Sequence, residues 1–277
     1  MKEAKNFTVQ FWGVRGSIAV PGPKTLRYGG NTSCLEVRCG EQLIILDAGT
    51  GIRDLGHKLI PETPIDTNIY LTHTHFDHIC GLPFFIPLFI PDNKLTLWAG
   101  HLIPEHTLKE VLKEMMMAPL FPVPPEVFRA NVAYHDFTVG EVLAPHPGVK
   151  VRTAKLNHPN QATGYRVEFD GRSICYITDT EHPQFGRDQN ILSLIQNADL
   201  VVYDSMYTDA TYEAYKGYGH STWEEGIRLV EAANANKLVI FHHDPTHDDD
   251  KMDAIAKEAE KMRPGTVVAR EGMTLTA

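Results

Sequence analysis

The sequence predicts an α+β fold in which two β-sheets pack together and helices cover their outer faces. Short apolar runs typical of buried strands recur along most of the chain. Two neighbouring pairs of runs are joined by turn sequences that favour hairpins, and later runs alternate with amphipathic helical patterns. Strands in the first half, followed by strands that alternate with helices, indicate two packed sheets with external helices.

The strands are expected at residues 8–14, 33–39, 42–46, 68–71, 94–98, 149–156, 164–169, 173–177, 200–203, 237–241 and 266–269. Hairpin turns are expected where Gly40 and the Asp170-Gly171 pair separate two runs, because these residues tolerate positive φ.

Two helices have clear start signals. Ser221 followed three residues later by Glu224 forms a capping-box pattern, and the apolar residues of 223–230 then share one helical face. A second amphipathic pattern over 252–262 follows the acidic residues 248–250, which complement the dipole at a solvated helix start. Metal ligation is the alternative role for these aspartates.

The chain of 277 residues is predicted to form a single domain over 1–277, although its length alone would also allow two small ones. An insertion rich in Pro, Phe and Met is expected at about 82–134. Such a segment can wall a pocket, form a dimer contact or pack as core beneath a long loop.

The composition limits the function classes. An apolar fraction of 43% allows a sizeable core, and the formal charge of −9 argues against a broad groove for long nucleic acid. A small anionic substrate stays possible, because bound dications would reverse the local field. The 4 cysteines include no CxxC pair, and no signal region or membrane span is visible, so a reduced, cytoplasmic and soluble protein is expected.

The densest cluster of chemical side chains follows the strand at 68–71, where His73, His75, Asp77 and His78 occur within six residues. Imidazoles and carboxylates are the ligands that zinc and similar divalent ions prefer. A solvated His-rich loop is the alternative, but a cluster this dense directly after a buried strand favours a metal site.

Further ligand types also stand directly after strands. His158, Asp179 and His242 each follow an apolar run, so their side chains are expected to meet at one rim of the fold. His243 and His247 compete with His242 for the last position.

The HxHxDH element with these later residues resembles the metallo-β-lactamase superfamily over nearly the whole chain. The resemblance implies a four-layer αββα sandwich, the metallo-β-lactamase fold, with a dinuclear metal centre between the sheets. By matching position, it implies a first metal held by His73, His75 and His158, a second held by Asp77, His78 and His242, and Asp179 as the bridge. Asp47 matches the early Asp-Gly turn of the family, which implies that it orients the ligands.

A second pattern is similar to the ribonuclease Z and phosphodiesterase branch. In that branch a histidine positioned by an acidic residue faces the leaving group, which implies this role for His220 with Asp204. The acidic position is often Glu, so Asp204 is a shorter variant. A structural place beside the Ser221 cap is the alternative for His220. Arg15 and Asn31 with Ser33 are candidates to face phosphate, although loop geometry alone would explain the glycines around them.

The resemblance implies a dinuclear metal-dependent phosphodiesterase, with 3′,5′-cyclic nucleotides as the first candidate substrate. Metal-activated hydroxide would attack phosphorus, Asp77 would orient it or take its proton, and His220 tuned by Asp204 would protonate the leaving group. Two divalent ions are expected, zinc first, with manganese or iron as alternatives. A small anionic phosphodiester and a second copy of the chain, forming a homodimer, are the expected partners; long nucleic acid and membrane are not.

The sequence is also compatible with three other functions. They are a ribonuclease Z-like RNA 3′-processing endonuclease, a hydrolase of lactone, thioester or β-lactam bonds on the same scaffold, and a binding module with a structural metal. The endonuclease would need a basic surface for RNA, which the sequence does not display.

Overall fold

Two seven-stranded sheets face each other in the computed structural model, which describes residues 5–277. The strands are β1 (Phe7–Gly13), β2 (Cys34–Cys39), β3 (Gln42–Leu46), β4 (Asp66–Leu71), β5 (Lys94–Ala99), β6 (Asn131–Asp136), β7 (Val142–Leu143), β8 (Val149–Leu156), β9 (Ala162–Phe169), β10 (Arg172–Ile177), β11 (Leu200–Asp204), β12 (Lys237–Phe241), β13 (Val267–Val268) and β14 (Thr274–Thr276). The helices are α1 (Ile52–Leu59), α2 (Phe76–Ile79), α3 (Leu108–Met115), α4 (Gln189–Ile195), α5 (Asp209–Tyr212), α6 (Trp223–Ala232) and α7 (Asp249–Met262). Short 3-10 turns lie at Ile60–Glu62, Leu82–Phe84, Ile86–Phe89 and Pro125–Val127.

Both sheets contain a run of parallel strands. The first sheet has the order β14-β1-β2-β3-β4-β5-β6 and is parallel from β3 to β6; the second has the order β13-β12-β11-β10-β9-β8-β7 and is parallel from β10 to β13. Loops that leave the carboxyl ends of parallel strands emerge at the same edge, which is where α/β sheets place their ligand sites.

Three clusters of buried apolar side chains define the layers. One lies between the sheets and joins side chains of β1 and β2 with those of β8 to β12. A second packs α4, α6 and α7 on the outer face of the second sheet, and a third packs α1 and α3 on the outer face of the first. The expected αββα sandwich is therefore confirmed, with the main core between the two sheets.

Three strands were missed by the sequence analysis, namely β6, β7 and β14. Each is short or lies at a sheet edge, so its apolar pattern is weak, and β6 has no fully buried residue. β5 lies within the segment expected as an insertion at 82–134, and β6 overlaps the end of that segment. The longest part of the segment outside the sheet is therefore 100–130. The assignment of one domain over 1–277 stays a prediction.

The N-cap of α6 was predicted one residue too early. The Thr222 side chain, not that of Ser221, accepts the backbone N–H of Glu225. Ser221 Oγ lies 2.8 Å from the hydroxyl of Tyr203 and 2.9 Å from Nε2 of His182. Its hydroxyl therefore belongs to a buried polar network instead of capping the helix.

The acidic start of α7 is only partly solvated. Asp248 caps the helix by accepting the Lys251 N–H, as expected for a helix start. The carboxylate of the buried Asp249 instead accepts the backbone N–H groups of Arg27 and Tyr28 and so holds an N-terminal loop. Among the described residues no helix combines the length and the apolar character that crossing a membrane requires.

Candidate metal centre

The predicted ligands meet at the edge where the parallel strands of both sheets end. β4 leads into the segment that carries His73 to His78, β10 ends two residues before Asp179, and β12 ends directly before His242. The backbone φ of Asp179 is +59° and that of His242 is +60°, in the left-handed region that non-glycine residues adopt rarely. Such a conformation persists only where surrounding contacts enforce it, and it is common at functional sites.

The first group of donors comprises His73, His75 and His158, whose ring nitrogens lie within 4.8 Å of one another. Nε2 of His158 is 3.1 Å from Nδ1 of His75. Nε2 of His73 and Nε2 of His158 are each 3.7 Å from Oδ1 of Asp179.

The second group comprises Asp77, His78 and His242, again within 4.8 Å of one another. Nε2 of His78 and Nε2 of His242 are each 3.2 Å from Oδ2 of Asp179. Oδ2 of Asp77 is 3.2 Å from Nε2 of His78. Asp179 therefore presents one carboxylate oxygen to each group, which is the arrangement a bridging ligand requires.

Neighbouring groups fix the orientation of two of the imidazoles. Nδ1 of His78 lies 2.8 Å from Oδ2 of Asp47, and Nδ1 of His158 lies 2.7 Å from the carbonyl oxygen of Gly219. Each ring consequently turns its Nε2 toward the centre, as outer hydrogen bonds do for metal-binding histidines.

The charge balance of the cluster calls for cations. Asp47, Asp77, Asp179 and Asp204 are all buried, and within residues 5–277 their ion pairs are formed with histidines alone. Buried carboxylates without a lysine or arginine partner are costly unless a proton or a metal ion balances them.

The surroundings of His73 and His78 also suit bound cations. Nε2 of His73 is buried and has no hydrogen-bond partner, although it points at the shared carboxylate. Burial and the neighbouring His78 hold the pKa of His73 well below its usual value. Burial lowers the pKa of His78, but Asp77, Asp179 and Asp47 outweigh it and raise that pKa well above the usual value. Divalent ions would take the place of the proton on His78, and this donor set suits them.

His220 and Asp204 lie beside the cluster. Nδ1 of His220 is 3.1 Å from Oδ2 of Asp204, and its ring packs 5.1 Å from the ring of His242 and 5.4 Å from that of His158. Burial lowers the pKa of His220, but the charge and hydrogen bond of Asp204, with Asp179 and Asp77, raise it to about 9. The pair is placed to act on a group bound at the centre.

Several alternatives raised by the sequence lie outside the cluster. His243 turns its Nε2 to the carbonyl of Ala269, so it faces away from the centre that His242 enters. The buried Arg15 donates to the backbone carbonyls of Gly29, Asp244 and His247. The expectation that Arg15 faces phosphate is therefore wrong, because its guanidinium ties three loops together.

Asn31 and Ser33 are the two other residues proposed to face phosphate. Asn31 bonds Glu271 through its backbone N–H and its side-chain amide. Ser33 is fully buried next to β2. Neither contacts the cluster through a hydrogen bond of its side chain within the described part of the chain.

Sequence reasoning also missed residues that hold the site together. The Tyr176 hydroxyl donates to Oδ2 of Asp47 at 2.8 Å, and the backbone N–H of Thr72 donates to Oδ1. The backbone N–H of Ser17 donates to Oδ2 of Asp77 at 2.9 Å. Tyr176 looks like any core residue of β10, and backbone donors leave no signal in a sequence, so only the structure reveals these contacts.

Gly219→Ala is expected to lower the metal affinity about 10- to 100-fold, the usual effect of disturbing a group that orients a ligand. A Cβ at this position would lie 2.3 Å from Nδ1 of His158 and 2.4 Å from Cδ of Pro159, at a φ of +85°. The His158 ring must then move and give up its bond to the Gly219 carbonyl. Zinc competition with a chromogenic chelator measures the loss.

Gly171→Ala is the matched control. Its φ of +77° imposes the same backbone strain, but no atom lies within 4 Å of the added Cβ. The left-handed backbone should cost each variant about 1 kcal/mol of folding stability, and the close contacts of the added Cβ should increase the loss in Gly219→Ala. Equal metal affinities in the two variants would refute the role assigned to Gly219.

Comparisons with known proteins find similar sequences and the same fold. The profile of the β-lactamase superfamily domain matches residues 42–243. A ribonuclease Z of Myxococcus xanthus (strain DK1622) is 22% identical, covering 88% of this chain and 92% of the relative. The metallo-β-lactamase fold protein YhfI of Bacillus subtilis superposes with a TM-score of 0.74 at 18% identity, over 99% of this chain and 100% of that one. A diphosphatase of the PhnP family superposes with a TM-score of 0.70 at 20% identity, over 97% of both chains.

Proposed function

We propose that this chain, which belongs to the β-lactamase superfamily and is a metal-dependent hydrolase, cleaves phosphodiester bonds. Within the superfamily it belongs to the ribonuclease Z-like branch. The observation that carries this proposal is the position of Asp179 between two donor groups, with the His220–Asp204 pair beside both. A two-cation site with an adjacent acid suits the displacement of a poor alkoxide leaving group from phosphorus.

Under this proposal His73, His75 and His158 would hold one divalent ion, Asp77, His78 and His242 would hold the other, and Asp179 would be a ligand shared by the two. Bound ions supply Lewis-acid chemistry: they lower the pKa of water and neutralise the charge on phosphoryl oxygens. The Ser17 N–H fixes the Asp77 carboxylate, which orients the attacking water or takes its proton.

His220 is the proposed general acid. Asp204 accepts a hydrogen bond from Nδ1–H of His220, so Nε2 of the same ring is left to donate a proton to the departing oxygen. Burial lowers the pKa of His220, but the charge and hydrogen bond of Asp204 outweigh burial and raise it, which favours the cationic, proton-donating form of the ring.

The charges around the site favour a small substrate, of which 3′,5′-cyclic nucleotides are the proposed class. Arg15 is committed to backbone carbonyls, and Lys216 pairs with Glu213 at 3.3 Å. The loop after β12 carries Asp244 and the acidic residues 248–250. A long polyanion gains affinity from many free cations, whereas one phosphodiester needs only the metal centre.

The relatives named ribonuclease Z support a second candidate, an endonuclease that processes RNA 3′ ends. The same centre could perform that reaction, but the substrate would have to be held by a basic surface. Lactone, thioester or β-lactam hydrolysis is a third candidate, against which the His220–Asp204 pair argues modestly.

A substrate panel tests the proposal. Purified protein loaded with zinc or manganese would be given bis(p-nitrophenyl) phosphate, 3′,5′-cyclic AMP and GMP, a precursor tRNA, a lactone and a β-lactam. Turnover of the phosphodiester and a cyclic nucleotide, absent in the Asp179→Asn variant, is the expected result. Cleavage of the tRNA alone would favour the endonuclease, and turnover of only the lactone or the β-lactam would refute phosphodiesterase activity.

Three finer features belong to the same proposal. The ions are zinc, with manganese or iron as alternatives, since all accept nitrogen and carboxylate ligands. The enzyme works as a homodimer in the cytoplasm; the free cysteines Cys34, Cys39 and Cys175, all buried, suit a reducing compartment. Elemental analysis and light scattering test the metal identity and the assembly.

A further inference from the structure

Glu181 connects two loops beside the candidate centre. Its Oε2 accepts the backbone N–H of Gly217 at 2.7 Å and that of Gly219 at 2.9 Å. Its own backbone N–H donates to the carbonyl of Asn157 at 2.7 Å, next to His158. One carboxylate oxygen therefore holds the segment 217–219 against the loop that carries Asp179.

The segment that Glu181 holds serves two functional histidines. The Gly219 carbonyl is the acceptor for Nδ1 of His158, and His220 is the next residue along the chain. Any shift of 217–219 would therefore turn the His158 ring and displace His220 together. Precise placement matters, because small errors in the position of a catalytic group cost large factors in rate.

The segment 217–219 is exposed over most of its length and contains two glycines in the left-handed region. Gly217 and Gly219 have φ of +95° and +85°, and residues 213–218 are exposed. Further along the chain, Nε2 of His182 contacts Ser221 and its ring stacks on Tyr212 at 4.0 Å. Those contacts hold the segment's flanks. Within residues 5–277, the side chains that hydrogen-bond its two glycines are Glu181, through both N–H groups, and His158, through the Gly219 carbonyl.

We propose that Glu181 is a positioning residue that sets both the orientation of His158 and the reach of His220 through its bonds to Gly217 and Gly219. This inference rests on the proposed function, in which His158 binds a metal ion and His220 protonates the leaving group.

Three substitutions separate hydrogen bonding from charge. Glu181→Gln removes the charge but keeps an oxygen that can accept both N–H groups, so it should stay within about threefold of wild type. Glu181→Asp keeps the charge but withdraws the oxygen by one methylene, and Glu181→Ala removes it. Both should lower zinc affinity and turnover of a cyclic nucleotide about 10- to 100-fold. Turnover of bis(p-nitrophenyl) phosphate should fall less, because nitrophenolate departs without a proton.

Glu213→Ala is the matched control, since Glu213 belongs to the same loop but, among the described residues, its exposed carboxylate pairs with Lys216 alone. It should leave zinc affinity and both rates unchanged. Circular dichroism verifies that each variant is folded; if Glu181→Ala does not fold, the Gln and Asp variants still decide the matter.

Two results would overturn the inference. One is an Asp variant with the zinc affinity and the substrate ratio of wild type; the other is a Gln variant that loses as much as Asp. The zinc measurement does not depend on turnover, so it tests Glu181 even if the wild-type protein proves inactive on phosphodiesters, which would refute the proposed function instead.

Discussion

Asp179→Ala is expected to strip both ions from the protein and abolish phosphodiester hydrolysis. Its two oxygens face Nε2 of four imidazoles, at 3.2 Å from those of His78 and His242 and at 3.7 Å from those of His73 and His158. Without this carboxylate, two cations would lose the negative charge that lies between them. Elemental analysis of the purified variant after reloading with zinc measures the effect.

Asp179→Asn removes the negative charge of this side chain without changing its size. Asparagine tolerates the φ of +59° and keeps the side-chain volume, so the variant should fold normally and still lose metal and activity. Asp199→Asn is the control: this carboxylate bonds Ser173 at the opposite end of the same sheet and should affect neither. Two bound ions with full activity in Asp179→Asn would refute the bridging role.

The strand ends explain why much of the site could be predicted. A polar ligand type directly after a buried apolar run is visible in sequence, and the parallel strands bring such positions to one edge. That reasoning placed His158, Asp179 and His242 together with the HxHxDH segment, and the structure brings all of them within reach of shared ions. Their role as ligands stays a prediction until metal is measured.

The choice between neighbouring residues could not be made from the sequence. His242 enters the centre and His243 does not because the φ of +60° at His242 redirects the chain just after β12. The same limit explains the α6 cap, where Ser221 is drawn into a network with Tyr203 and Thr222 takes its place. In each case long-range contacts decide between adjacent positions with similar chemistry.

Arg15 shows a different limit. A lone arginine in a glycine-containing segment fits both a phosphate contact and a structural role, and composition does not separate them. The structure decides, because the guanidinium is completely buried and bonds carbonyls more than two hundred positions away, those of Asp244 and His247. The phosphate would therefore have to be bound by the ions and not by this side chain.

His220→Ala is expected to slow turnover of a cyclic nucleotide roughly 10²- to 10⁴-fold, the usual contribution of a general acid, while leaving metal content near normal. Hydrolysis of bis(p-nitrophenyl) phosphate should fall much less. Burial lowers the pKa of His220, but Asp204 outweighs burial and raises it to about 9, so the ring is protonated below that pKa and loses its proton as pH rises through it. The alkaline fall of the wild-type rate on a poor leaving group should accordingly be absent in the variant.

Two further variants, Asp204→Asn and His135→Ala, test whether the alkaline fall of the rate comes from His220. Asp204→Asn removes the charge that raises the pKa of His220, so the alkaline fall should move to lower pH without disappearing. His135→Ala, a histidine that stacks on Trp98 in the first sheet, should leave the profile unchanged. Because the His220 ring packs against those of His158 and His242, loss of one ion in His220→Ala would instead make it a ligand. An unchanged rate on the cyclic nucleotide would remove His220 from the reaction.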